Sequence, residues 1–212
     1  MKAIIQIKDL SIDYVTRYGT THAVNNVSFD IPEGKVTALV GESGCGKTTL
    51  ATAILGICSG VISQGQIVYN GRDILSFSKE ELRQFRWQEV SMVFQAAQSA
   101  LNPVMKIKDQ FIQTVREHRD VSVAEIIKRT RELLEYVRLD PDLVLRSYPH
   151  ELSGGMKQRV MIALSLILDP KVVILDEPTT ALDVITQSYI FEILAKINRD
   201  FGTTMLLCFS HL

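Results

Sequence analysis

Short apolar stretches alternate with helix-period ones along most of the chain. Over residues 3–12, Ala3, Ile5 and Ile7 alternate with more polar neighbours, which predicts a strand. A polar, glycine-containing segment from Asp13 to His22 predicts a connection. Val27, Phe29 and Ile31 then alternate with Asn26, Ser28 and Asp30, the pattern of a half-buried antiparallel strand. Pro32-Glu33-Gly34-Lys35 turns the chain into a compact apolar run, Val36 to Val40, and a periodic segment, Leu50 to Ile57, follows. Ser63 to Gly65 reads as a break before Ile67 and Tyr69, which alternate up to an Asn70-Gly71 turn. A charged helical pattern covers Lys79 to about Trp87, and Val90 to Phe94 is a short apolar strand ending at Gln95.

Beyond Gln95 the periodicity becomes helical. Ile107 to Arg116 and Val123 to Val137 are amphipathic, the latter placing Val123, Ile126, Ile127, Thr130, Leu134 and Val137 on one face. Asn102-Pro103, Asp140-Pro141 and Tyr148-Pro149 punctuate this region. A helix opening at Leu152-Ser153-Gly154-Gly155 turns Val160, Ala163, Leu164, Ile167 and Leu168 inward. Val172 to Leu175 has the continuous apolar character of a buried strand, Ile190, Ile193, Leu194 and Ile197 mark another amphipathic helix, and Met205 to Phe209 is a last strand. Alternating strands and helices predict an α/β core with a mostly parallel sheet, β-hairpin material beside it and a small inserted helical subdomain.

The bulk properties narrow the partners. A chain of 212 residues holds one large domain or a core with an insertion. A net charge of −1 gives no general attraction to nucleic acid or to an anionic membrane surface. The longest apolar run, Val160 to Leu168, is interrupted by Ser165 and too short to cross a bilayer, so membrane association is expected to go through a partner. Met1-Lys2 runs directly into a strand-like segment, with no signal-peptide pattern. Cys45, Cys58 and Cys208 are odd in number and lack metal-ligand spacing, the usage of reduced thiols in a cytosolic protein.

The chemistry begins at Gly41-Glu42-Ser43-Gly44-Cys45-Gly46-Lys47-Thr48, which fits G-x-x-x-x-G-K-[ST] between a predicted strand and a predicted helix. Glycines let the backbone wrap closely and aim successive N–H groups at one anion. The helix start adds its free N–H groups and the positive end of its dipole. Lys47 is placed to reach the β- and γ-phosphates of a nucleoside triphosphate, and the Thr48 hydroxyl to ligate Mg²⁺. Only the backbone of Cys45 is required. A second site element is Asp176-Glu177, at the carboxyl end of the buried strand, where open α/β sheets place their ligands. Asp176 there would help hold Mg²⁺, and Glu177 could accept a proton from an attacking water. The third element, Leu152 to Arg159, is a Ser-Gly-Gly helix start offering N–H groups and a hydroxyl to an anion.

With Gln95 and His211 added in this order, the chain resembles the ATP-binding subunit of ABC transporters over essentially its whole length. The resemblance implies an α/β fold: a P-loop NTPase (RecA-like) core with an antiparallel β subdomain and an inserted helical subdomain. It implies one ABC ATP-binding domain over 1–212, with the nucleotide-binding core and β subdomain in 1–95 and 152–212 and the helical subdomain in 96–151. Gly41 to Thr48 look like the Walker A loop. Together with Thr49 beside it, Gly41, Glu42, Ser43, Gly44, Cys45, Gly46, Lys47 and Thr48 form the implied nucleotide-binding set, Lys47 also serving catalysis. Val172 to Asp176 look like Walker B. Glu177 matches the general base and His211 the switch histidine at the γ-phosphate and water. Gln95 resembles the glutamine that senses Mg²⁺, which makes Thr48, Gln95 and Asp176 the implied metal set. Leu152 to Met156 look like the signature motif, through which Ser153, Gly154 and Gly155 reach ATP held by another subunit. Ala181-Leu182-Asp183 resembles the loop touching that subunit. Tyr14 is the choice for the aromatic side chain stacking on adenine, with Tyr18 as the alternative.

Finer resemblance, in Phe94-Gln95, Ser99 to Pro103, Tyr148 to Leu152 and Asp176 to Val184, points to the dipeptide, oligopeptide and nickel importers. It implies ATP and Mg²⁺ as cofactors, a head-to-tail dimer with an identical or paralogous cassette, transmembrane permease subunits, an extracellular solute-binding protein acting indirectly, and no nucleic acid. The expected place is the cytoplasmic face of the cell membrane, peripherally held. Ala96-Ala97 depart from the acidic residue and proline common after the glutamine. Members of this subfamily continue past the histidine, so a longer natural chain is expected. Three rival readings remain. A GTPase would need an Asn-Lys-x-Asp that the sequence lacks. A soluble ABC ATPase would share the core motifs, and a module could bind nucleotide without hydrolysing it.

Overall fold

A computed structural model describes residues 2–95, 100–180 and 182–210. His211 and Ala181 lie outside the described residues. Two four-stranded sheets carry the architecture. The first is antiparallel, in the order β2-β1-β4-β5, from β1 (Ala3–Thr16), β2 (Gly19–Pro32), β4 (Val61–Tyr69) and the two-residue β5 (Arg72–Asp73). The second is wholly parallel, in the order β3-β8-β7-β6, from β3 (Val36–Val40), β8 (Thr204–Phe209), β7 (Val172–Asp176) and β6 (Val90–Val93).

The parallel sheet is covered on both faces, and its two-residue period divides the core in two. Val172 and Ile174 of β7, with Leu206 and Cys208 of β8, face a cluster that includes Leu50 and Ile54 of α1 (Lys47–Ile54) and Ile5, Ile7, Leu10 and Ile12 of β1. Val173 and Leu175, with Met205 and Leu207, face a second cluster. That cluster is built from α6 (Gly154–Ser165), α7 (Val184–Phe201) and the helices α3 (Ile107–Arg116), α4 (Val123–Tyr136) and α5 (Pro141–Arg146). A strand buried on both faces reads as an unbroken apolar run, the pattern seen at Val172 to Leu175. Helices α3, α4 and α5 pack on one another, and Phe111 and Leu134 share a continuous core with Leu164 and Ile190.

Helix starts follow local chemistry. Ser78 and Glu81 form a capping box for α2 (Lys79–Gln88), and Ser122 and Glu125 do the same for α4. Asp183 caps α7 by accepting the N–H of Thr186 at 3.0 Å. Near its end α2 is broken, with Arg86 extended and Trp87 at φ 69°. The Arg86 guanidinium donates to the carbonyls of Leu55 and Gly56 at 2.8 and 2.6 Å, at the carboxyl end of α1.

Two connections expected from the pattern are strand instead. Residues 13–16 and 19–22 continue the β1–β2 ribbon, pairing Asp13 with His22, Tyr14 with Thr21 and Val15 with Thr20. Most of this ribbon is open to solvent, so its residues carry no apolar alternation to betray it. Ser63 to Gly65 likewise stay within β4. Gly65, at φ +90°, faces a bulge in β1 where Asp9 takes φ 47°; a Cβ on Gly65 would lie 2.4 Å from the Lys8 carbonyl oxygen. This extra residue changes the parity of β1, from Ile5 and Ile7 inward to Leu10 and Ile12 inward. The Asn70-Gly71 turn is as expected, with both residues at positive φ.

Candidate nucleotide site

The loop 41–46 leaves the carboxyl end of β3 and enters α1 at Lys47. Its first amide, on Gly41, donates to Phe209 at 3.2 Å and pins the loop to the end of β8. Gly44 and Gly46 take φ +82° and +97°. Gly46 also meets β2 so closely that a Cβ would lie 2.2 Å from the Ala23 carbonyl oxygen. No side chain caps α1 and no acid sits in its first turn, so its leading N–H groups are left for an anion. Lys47 is only 6% exposed and its ammonium donates to the carbonyls of Gly41 and Glu42, at 2.8 and 2.7 Å.

Parallel pairing brings the other chemistry to the same rim. Asp176 pairs with Cys208 across β7 and β8, one step from Val40 beside Phe209. The Thr48 hydroxyl donates to Asp176 Oδ2 at 2.6 Å. Asp176 is 1% exposed, and its Oδ1 has no partner among the described residues. Burial chiefly, and the neighbouring Glu177 charge in lesser part, push its carboxyl above the ordinary range. Burial likewise pushes the Cys208 thiol up to about 12.

Glu177 sits at φ 49°, its amide donating to the Cys208 carbonyl at 3.0 Å. Its carboxylate accepts from Gln95 Nε2 at 2.9 Å and from the Thr180 hydroxyl at 2.9 Å, both on Oε2, and from the Ser210 hydroxyl on Oε1. A cavity of about 450 Å³ collects the loop residues Ser43 to Thr49 with Gln95, Glu177 and Ser210. Tyr14 also lines it, the phenol oxygen 3.4 Å from Thr49 Oγ1, with Thr21, His22 and Ala23 of β2. Tyr18 is at the tip of the ribbon, 84% exposed, and does not border this cavity.

Ser153, Gly154 and Gly155 are elsewhere. They line a separate cavity of about 690 Å³ with Leu182, Asp183 and Thr186. Ser153 caps α6 by accepting the Met156 amide at 3.3 Å. A Cβ on Gly155 would come within 2.8 Å of Thr186 Cγ2, so the starts of α6 and α7 pack closely. Within one chain these residues do not border the phosphate loop cavity. Sequence reasoning missed Thr180 and Ser210 on Glu177, and the three β2 residues. Ser210 stands directly after β8, and Thr180 three residues beyond Glu177, a signal that position alone offered.

The donors suit a hard divalent cation. Asp176 offers one buried oxygen without a partner, and Thr48 a hydroxyl oxygen beside it. Among the described residues no cluster of three or more His, Cys, Asp or Glu side chains forms a cage. Mg²⁺ bound with phosphates needs no such cage, since waters and phosphate oxygens complete its shell.

A glycine loop at a helix start, a strand-end carboxylate and a parallel sheet define a P-loop NTPase. The chain belongs to the ABC transporter family, whose profile matches residues 24–180. It is 47% identical over 209 residues to the dipeptide transport ATP-binding protein DppD of Caldanaerobacter subterraneus subsp. tengcongensis, covering 97% of this chain and 64% of that one. It is 38% identical over 208 residues to the oligopeptide transport ATP-binding protein OppD of Escherichia coli K12, covering 97% and 61%. The chain thus spans less than two thirds of the length of these relatives. In three dimensions it matches the dimeric structure of MJ0796, a bacterial ABC transporter cassette, with a TM-score of 0.86 at 28% identity, over 97% of this chain and 88% of that one. A post-hydrolysis dimer of the same cassette bound to ADP and Pi matches with a TM-score of 0.85, at 28% identity, over 96% and 87%.

Proposed function

We propose that this chain binds and hydrolyses ATP to power import of peptides or a related small solute. It would work at the cytoplasmic face of the membrane, held there by permease subunits. The observation that carries the reading is the juxtaposition of Glu177, fixed by Gln95, Thr180 and Ser210, with a phosphate loop and a buried carboxylate. A carboxylate offers about four acceptor positions. Three hydrogen bonds fill three of them on Glu177, which leaves one for the proton of an attacking water. Thr48 and Asp176, with Gln95 at the rim, would hold Mg²⁺; when bound, Mg²⁺ neutralises charge developing on the phosphates. The loop amides and Lys47 do the same from the opposite side, and Tyr14 takes the base. His211 follows Ser210 directly and is assigned the γ-phosphate and water by the family pattern.

The separation of the two cavities supports a head-to-tail dimer. Ser153 to Gly155 of one chain would close on the nucleotide held by another, identical or paralogous. The names of the peptide-transport relatives support the solute class and the permease partners; a solute-binding protein would act through those permeases. Among the described residues no helix is long and apolar enough to cross a membrane. The test is phosphate release and MgATP binding by the chain and by Glu177→Gln. General-base assistance is worth roughly 10²–10⁴-fold, so the variant should bind MgATP as tightly while turnover falls by that factor. Equal turnover in the two proteins removes Glu177 from this role.

A further inference from the structure

We propose that His22, oriented by Asp13, is the sugar contact of the nucleotide site and makes the chain discriminate ribonucleotides from deoxyribonucleotides. This rests on the nucleotide reading above and adds a residue to it. The argument is positional first. β2 is the edge strand of its sheet, and three consecutive residues of it, Thr21, His22 and Ala23, line the cavity. Thr21 pairs with Tyr14, at the base end. The Ala23 carbonyl lies against Gly46, at the phosphate end. His22 stands between them, and what separates base from phosphates in a nucleotide is the sugar.

The chemistry agrees. His22 Nδ1 lies 2.7 Å from Asp13 Oδ1, across the ribbon. The hydrogen bond from His22, and a lesser one from Ser63, hold the Asp13 carboxyl below the usual carboxylate range. An ionised carboxylate only accepts, so Nδ1 carries the proton of this contact, and Nε2 has no hydrogen bond among the described residues. A ribose hydroxyl both donates and accepts, and can bond Nε2 whether or not that nitrogen is protonated. Phosphate oxygens could be bonded only by the imidazolium. The pair orders a side chain that is otherwise two-thirds open to solvent, at 68% exposure.

The test compares MgATP, Mg-2′-deoxyATP, Mg-3′-deoxyATP and inorganic tripolyphosphate on the wild-type chain, His22→Ala, His22→Gln and Asp13→Asn. One hydrogen bond commands roughly a three- to tenfold change in affinity. Wild type should prefer ATP over at least one deoxy analogue by that factor. His22→Ala should bind ATP weaker by the same factor, lose the preference, and keep its affinity for tripolyphosphate. His22→Gln, which retains a donor and an acceptor near the position of Nε2, should keep part of the preference, and Asp13→Asn should weaken it. Wild type that binds MgATP while His22→Ala binds ATP and each deoxy analogue as tightly as wild type does overturns the sugar contact alone. So does a parallel loss of tripolyphosphate, which would make His22 a phosphate ligand. Wild type that binds no nucleotide overturns the site and the sugar contact together.

Discussion

Asparagine in place of Asp176 separates what this carboxylate costs the fold from what it does for the ligand. One of its oxygens holds the Thr48 hydroxyl at 2.6 Å; the other is buried without a partner. A buried polar atom left unpaired costs about 1–3 kcal/mol, and more when charged. Asp176→Asn keeps the shape and an acceptor for Thr48 and removes the charge, but leaves amide protons to place. The net gain for the ligand-free chain is set at about 1 kcal/mol, a rise in Tm of roughly 2–4 °C for a chain of this size. The effect has a pH signature. Burial raises the folded-state pKa above the ordinary 3.8, so the wild-type chain holds this contribution below that value and loses it as pH rises through the folded-state pKa. The variant has no such loss. The gap in Tm should therefore be widest at neutral pH and close as the pH falls through that window. Differential scanning fluorimetry from pH 8 downwards reads it directly. Adding ATP with and without Mg²⁺ reads the other half: a ligand at a hundred times its Kd stabilises by about 2.7 kcal/mol. The Mg²⁺-dependent part of that increment should be present in wild type and missing in the variant. A ligand-free variant no more stable than wild type at neutral pH would refute the strain argument, and a retained Mg²⁺ increment would refute the ligand role.

Two further outcomes follow from the loop and the sheet. Gly46→Ala places a Cβ 2.2 Å from the Ala23 carbonyl at a φ of +97°. A left-handed backbone alone costs an L-residue about 1–2 kcal/mol. With the overlap added, the loss should exceed about 2 kcal/mol, a fall in Tm of at least roughly 4 °C, and ATP binding should weaken in parallel; an unchanged Tm would show that β2 yields freely. Cys208, buried beside Asp176 on the neighbouring strand with its thiol pushed up to about 12, should resist iodoacetamide at pH 8 until the chain is unfolded, while the exposed Cys45 reacts at once. Mass spectrometry of the labelled peptides distinguishes the two, and early labelling of Cys208 would contradict its burial.

What was legible in the residues was what is local and periodic. The loop from Gly41 to Thr48, the run Val172 to Asp176 and the face Ile190, Ile193, Leu194, Ile197 each declare themselves over a few residues, because contiguous patterning decides strand, helix and turn. The parallel sheet followed from their order. The ribbon from Asp13 to His22 was not legible, since a strand pair projecting into solvent has no buried face to impose alternation. Nor was the continuity of β4 through Gly65, because a bulge needs its partner at Asp9 to be recognised, and that partner is distant in sequence. The site divides similarly. Lys47, Thr48 and Asp176 were placed by motif, but the bonds of Thr180 and Ser210 to Glu177 depend on how two strand ends meet. Short polar residues after a strand look alike until the sheet aligns them.

The ammonium of Lys47 gives two of its three donors to its own loop. Bridging the carbonyls of Gly41 and Glu42, it acts as a stand-in substrate for its own loop, and holds the curve of the backbone shut from inside. A phosphate oxygen would displace only the third and weakest contact, to Cys45 Sγ at 3.6 Å, and leave both carbonyl bonds in place. What such a contact adds is the meeting of opposite formal charges and the water set free when they meet. Binding at this loop should accordingly be sensitive to salt.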